Sequence, residues 1–135
     1  MKRLAAILPV LLVTGQCPAA GSDCQRHETH ATYRACLERL ASQADIDLVR
    51  QENVLRSKIG QWDETPDARR NSLQRFDLDA ATYRRYRQSR CDYAASRAAG
   101  GNGAHDMRLS CRIALDAQRS EMIRDDAASL GARTP

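Results

Sequence analysis

A chain of 135 residues with a formal net charge of +4 has room for one domain and not for two. Aromatic residues make up only 4% of it against 28% charged, and valine and isoleucine are too sparse for a sheet core, which excludes a β-sandwich or barrel. Five cysteines in so short a chain point away from a reducing compartment.

The chain opens Met1, Lys2, Arg3 and runs apolar from Leu4 to Val13 with a single interruption at Pro9. That is the order of a secretory signal peptide, and it is too short to span a bilayer. Ala19 and Gly21 supply the small residues a signal peptidase requires, so residues 1–21 are expected to be removed, with a cut after Ala19 as the alternative. A lipid anchor on Cys17 is disfavoured, because Gln16 occupies the place of a small residue and Thr14 that of the usual leucine. Cleavage leaves one domain, residues 22–135, with four cysteines and a formal charge of +2, since the leader contains Lys2, Arg3, Cys17 and no acid. An even cysteine count outside the cytoplasm is the arithmetic of a disulfide framework, and the expected location is periplasmic or secreted.

Tyr33, Leu37, Leu40, Ala44, Leu48, Leu55 and Ile59 recur at steps of three, four or seven, with Glu38, Arg39, Asp45, Arg50 and Lys58 on the remaining faces. This predicts a long amphipathic helix from residue 30 to a stop at Gly60, with Thr29 as its N-cap. Cys24 and Cys36 could not bond on one straight helix, where twelve residues span about 18 Å. The segment between Cys24 and Thr29 must therefore fold back if the two are joined.

After Trp62, Thr65 and Pro66 signal a second start: a hydroxyl that can cap, then a proline whose missing N–H costs nothing in a first turn. The second helix is expected from residue 66 to about 98, with Leu73, Phe76, Ala80, Tyr83, Cys91 and Ala94 inward. Gly100, Gly101, Asn102 and Gly103 break it. A third helix, from about 105 to 130, is expected to carry Met107, Cys111, Ala114, Leu115, Gln118 and Met122 on its inner stripe and to end at Gly131. The fold class is all-α, an antiparallel bundle of about three long helices stapled by two disulfides. Cys91 and Cys111 lie at similar distances either side of the glycine run, hence at one height in a hairpin. Local pairing, Cys24 with Cys36 and Cys91 with Cys111, is favoured, while crossed connectivities stay open and would demand a more particular docking of the first helix.

Chemistry-bearing patterns are few. Cys24, His27, His30 and Cys36 contain zinc-ligand types, but the spacing is poor and an exported thiol pair oxidises more readily than it binds metal. No metal and no cofactor are expected. No serine–histidine–acid set, phosphate-cradling glycine loop after a strand, or helical His-Glu metalloprotease motif occurs, so the protein is not expected to be an enzyme. Residues 67–98 hold eight arginines against four aspartates, densest around Arg84, Arg85, Arg87 and Arg90. Such a helix suits phosphate or carboxylate polymers, or an acidic protein surface, while nucleic acid is not an expected target outside the cytoplasm.

The cysteine frame, with Thr29 seven residues before Cys36, Arg87 and Tyr83 before Cys91, and Leu115 and Arg119 after Cys111, resembles the LprI-like lysozyme inhibitor family. The resemblance runs from Cys24 to about Ile123. Departures are the replacement of a central glutamine, tryptophan and aspartate by Ala80, Tyr83 and Gln88, of a threonine by Asp116, and of an asparagine and tyrosine by Val49 and Glu52. Thr32 also departs from the family's acid or amide, which predicts loss of half a capping box. What the resemblance implies is an exported protein that blocks a lysozyme-like glycosidase by occluding its cleft. The candidate contact residues are Asn102 and His105 at the glycine turn and Arg84, Arg85 and Arg87 on the second helix. The rival expectation is an envelope module that binds an anionic polymer through the arginine-rich helix. In neither case does the mature chain carry a transmembrane segment.

Overall fold

The computed structural model describes Cys24, Arg26 and residues 29–131; the leader and His27 lie outside the described residues. The chain forms three helices, α1 (His30–Gly60), α2 (Pro66–Ser96) and α3 (Gly103–Gly131), with no strand among the described residues. Each is about 45 Å long at 1.5 Å per residue. Short connections make successive helices antiparallel, and α3 packs closely on both others while α1 and α2 touch more lightly.

Both connections follow from local chemistry. The Thr65 hydroxyl accepts from the Ala68 amide and Pro66 occupies the first turn of α2. At the other end, Ala99 (φ 50°) and Gly100 (φ 79°) are left-handed, a conformation in which Gly100 costs little and Ala99, with its Cβ, costs more. Cys91 and Cys111 are joined with their α-carbons 5.4 Å apart, and Cys24 and Cys36 with theirs 5.7 Å apart. Both expected local pairs therefore form.

Two sequence expectations need correction. Thr32 does not forfeit the capping box: the Thr29 hydroxyl accepts from the Thr32 amide at 3.2 Å, and the Thr32 hydroxyl accepts from the Thr29 amide at 3.3 Å. A threonine oxygen reaches back as an acid or amide does. The inner stripe of α3 is also rotated from the expected one. The buried face is Asp106, Leu109, Ile113, Asp116, Ser120, Ile123 and Ala127, at alternating steps of three and four, whereas Ala114, Gln118 and Met122 are exposed. Three of the seven inward positions are polar, so a search for apolar periodicity slides around the helix to the wrong face.

The core is correspondingly divided. One apolar cluster joins Cys24, Cys36, Leu37, Ala41, Leu109 and Ile113, with Tyr33 and Leu40 against it. The other joins Leu48, Leu55, Ile59, Ile123 and Ala127, flanked by Leu73, Phe76, Tyr83 and Leu130. Burial of each large side chain, such as Leu37 or Leu48, stabilises the bundle by about 2 kcal/mol. Charged groups fill the level between the clusters.

Candidate functional site

At that level Asp116 is fully buried, and a carboxylate so placed must be neutralised and hydrogen-bonded. Arg87 does both: its Nη1 donates to Asp116 Oδ2 and Oδ1 at 2.7 and 2.8 Å and to Asp45 Oδ1 at 2.7 Å. The Tyr83 hydroxyl donates to Asp116 Oδ1 at 2.8 Å. Burial, the bond to Asp116 and that carboxylate's charge push the Tyr83 phenol well above the ordinary tyrosine range. Burial opposes the charge on Arg87, but its bonds to Asp116 and Asp45 more than offset this and hold it protonated. Two departures from the family pattern, Tyr83 and Asp116, thus meet in one hydrogen bond.

A second buried carboxylate, Glu52, is reached by Arg84 Nη2 at 2.7 Å, with Arg56 Nη2 at 3.8 Å. Arg56 itself bonds Asp77 at 2.8 Å and lies over the Phe76 ring. Arg119 pairs with Asp79 and covers the Tyr83 ring. Arg87 is therefore engaged inside the bundle and Arg84, though part-exposed, is paired to buried Glu52, so that together they tie α2 to α1 and α3. Of the arginines proposed as contacts, Arg85 alone is wholly on the surface, where it donates to the Thr82 hydroxyl. It lines a shallow groove on α2 with Arg84, Gln88, Ser89 and Asp92.

The glycine turn forms the tip of the α2–α3 hairpin. Its backbone is fastened from three sides. Gly101 N–H donates to Ala98 O at 2.9 Å, Ala104 N–H donates to Gly101 O at 3.1 Å, and Arg34 Nη2 from α1 donates to Asn102 O at 2.8 Å. Arg34 Nε also bonds Asp106 at 2.9 Å, and His30 Nε2 lies 2.6 Å from the same carboxylate. Burial pushes the Asp106 carboxyl up, but the hydrogen bonds from Arg34 and His30 outweigh it and hold it below the usual carboxylate range. The Asn102 side chain is exposed at the tip, and His105, in the first turn of α3, lies 3.5 Å from Glu38. The structure thus brings Asn102 and His105 together at one end of the bundle and leaves Arg85 on the flank of α2.

Arg34 and Asp106, which hold this tip, were missed by sequence reading. Asp106 falls on the buried seven-residue rhythm of α3, a signal visible only when polar residues are allowed into the core. With Cys24 and Cys36 joined and His30 turned to Asp106, the cysteine–histidine set at the start of the chain offers no thiolate ligands. Among the described residues no group of three or more histidine, cysteine, aspartate or glutamate side chains is placed to hold a metal. No helix among them is long and apolar enough to cross a membrane.

A family model described as lysozyme inhibitor LprI matches residues 22–122, which takes in both disulfides, the charged layer and the tip. No curated protein and no solved structure matches the chain.

Proposed function

The chain belongs to the lysozyme inhibitor LprI family, and from that premise we propose that it is exported and blocks a lysozyme-like glycosidase by seating the α2–α3 tip in the enzyme's cleft. The family match carries the reading. The geometry supports it by supplying a hairpin end that is fastened before it binds: the Cys91–Cys111 bond ties its two helices together and Arg34 of α1 holds the Asn102 carbonyl from the side. A preformed plug avoids the entropic cost of ordering a loop on binding. A glycosidase cleft presents two carboxylates and hydrogen-bonding groups for sugar. Asn102 can donate to them, His105 can offer a second polar contact, and occlusion asks no bond making or breaking of this chain. Arg85 extends the contact along the flank, while Arg84 and Arg87 act by holding α2 in place.

With a formal charge of only +2 after leader removal, long-range attraction to a basic lysozyme is not part of this mechanism. Purified, disulfide-bonded protein should slow clearing of a cell-wall suspension by at least one lysozyme of a panel at micromolar concentration. Replacing Asn102 and His105 together by alanine should weaken the effect without lowering the thermal midpoint. Undiminished clearing across the panel removes the proposal.

A further inference from the structure

The charges of α2 are sorted by side. Its four aspartates are all neutralised: Asp67 by Arg70 within the helix, Asp77 by Arg56 of α1, and Asp79 and Asp92 by Arg119 and Arg108 of α3. Arg84 and Arg87 point inward to Glu52, Asp45 and Asp116. Arg75, Arg85, Arg90 and the helix-capping Arg97 make no ion pair with any described residue, and all four are exposed. The unpaired positive charge of this helix is therefore all exposed, with Arg75, Arg90 and Arg97 along one face and Arg85 about 140° round the helix from Arg90.

That face also bears rings. Positions 75, 79, 82, 86, 90, 93 and 97 follow one another at steps of three and four, so they form a single row, and every one of them is exposed. Along it the order is arginine, a neutralised aspartate, threonine, tyrosine, arginine, tyrosine, arginine. Tyr86 and Tyr93 are 53% and 61% exposed, which is unusual for two rings on one helix face with no partner to cover them. Seven residues separate them by about 10 Å along the axis, and the row from 75 to 97 spans about 33 Å. The Arg90 guanidinium lies 5.4 Å from the centre of the Tyr93 ring, so cation and ring already stand together.

We infer that the outward row of α2 binds an extended, carboxylate-bearing glycan strand of β-1,4-linked hexosamines. The spacing of the two tyrosines is about the length of one disaccharide in such a strand, so each ring can meet the apolar C–H face of every second sugar. Arg90 and Arg97 then pair with the carboxylates borne along the chain, in the fork geometry that suits that anion. A straight row suits a linear polymer better than a folded protein surface. The two disulfides place the protein where nucleic acid is not the polymer at hand. The inference stands apart from the tip's action on a glycosidase, since it uses neither Asn102 nor His105 nor Arg85. Its consequence is that the protein is held on the same wall strands that a lysozyme would cut.

Co-sedimentation of the disulfide-bonded protein with insoluble peptidoglycan tests this, with chitin, dextran sulfate beads and anionic phospholipid vesicles as parallel arms. Binding to peptidoglycan should exceed binding to each of the others. Tyr86→Ala with Tyr93→Ala, and separately Arg90→Gln with Arg97→Gln, should each weaken it by about tenfold or more. All four side chains lie on the surface, so circular dichroism and the thermal midpoint should not change. Equal retention on chitin would overturn the role of the arginines, and equal retention on dextran sulfate that of the tyrosines. Preference for vesicles, or peptidoglycan binding unmoved by both variant sets, would overturn the inference as a whole. Inhibition assayed on a soluble oligosaccharide should be unaffected by Tyr86→Ala with Tyr93→Ala, which keeps this result distinct from failure of the tip proposal.

Discussion

Asp116 shows how a single polar residue can decide a register. Fully buried and tied to Arg87 and Tyr83, it gives α2 and α3 one vertical alignment that sliding apolar faces would not specify. Arg87→Met should cost about 3 kcal/mol or more in denaturant unfolding, because it orphans a buried carboxylate. Adding Asp116→Thr, the residue common in the family, should recover much of that loss, since the only carboxylate then left without Arg87 is Asp45, which is part-exposed to water. The linked protonations have opposite signs at the two ends of the pH scale. Asp106 is held below the carboxylate range, so its contribution is present above about pH 4 and is lost as the pH falls below it. Tyr83 is raised, so its contribution lasts to about pH 10 and falls beyond it, where the unfolded phenol ionises and the folded one does not. Urea midpoints measured across pH should show Asp106→Asn flattening the acid limb and Tyr83→Phe the alkaline one. Cys91 with Cys111 was legible as a pair because both stand at one height in the hairpin, while Cys24 with Cys36 was favoured with crossed pairings still open. Asp116, Glu52 and Asp106 were not legible, because the assumption that charges face water hid their inward positions.

At the scale of elements, helix ends were read more securely than helix faces. Thr29, Gly60, Thr65 and Gly100 mark boundaries by local chemistry that needs no tertiary partner, and α1 and α2 begin where those residues say. The face of α3 depends on what α1 and α2 present, so its periodicity misled while its limits did not. The retained capping box belongs to this scale too. Thr29→Ala, which loses the bond to the Thr32 amide, should destabilise the protein by about 1 kcal/mol, and Thr32→Ala, which loses the longer bond to the Thr29 amide, by a smaller amount. Thermal unfolding of the two variants and their combination checks this. A cost equal to zero for Thr32→Ala would mean that the family's acid or amide does something a threonine cannot. The arginine-rich stretch of α2 was visible as composition, but its division into inward ties and an outward row required the acids of the neighbouring helices.

For the whole molecule, two disulfides and a charged central layer hold a narrow three-helix body whose chemistry is confined to surfaces. The Cys91–Cys111 loop spans twenty residues, and replacing both cysteines by alanine should lower unfolding free energy by about 3 kcal/mol in the chain-entropy account. It should also loosen the tip, so inhibition should fall at temperatures where the helices remain folded. The fold as a whole was readable because long helices, glycine breaks and local disulfides are short-range signals; the occupants of its surfaces are not encoded so locally. Steady-state kinetics of a susceptible lysozyme on a soluble oligosaccharide, with increasing amounts of the oxidised protein, tests the central claim of cleft occlusion. A rising apparent KM at constant kcat is predicted. A falling kcat at constant KM would contradict it, since the inhibitor would then be acting on enzyme whose cleft is already filled.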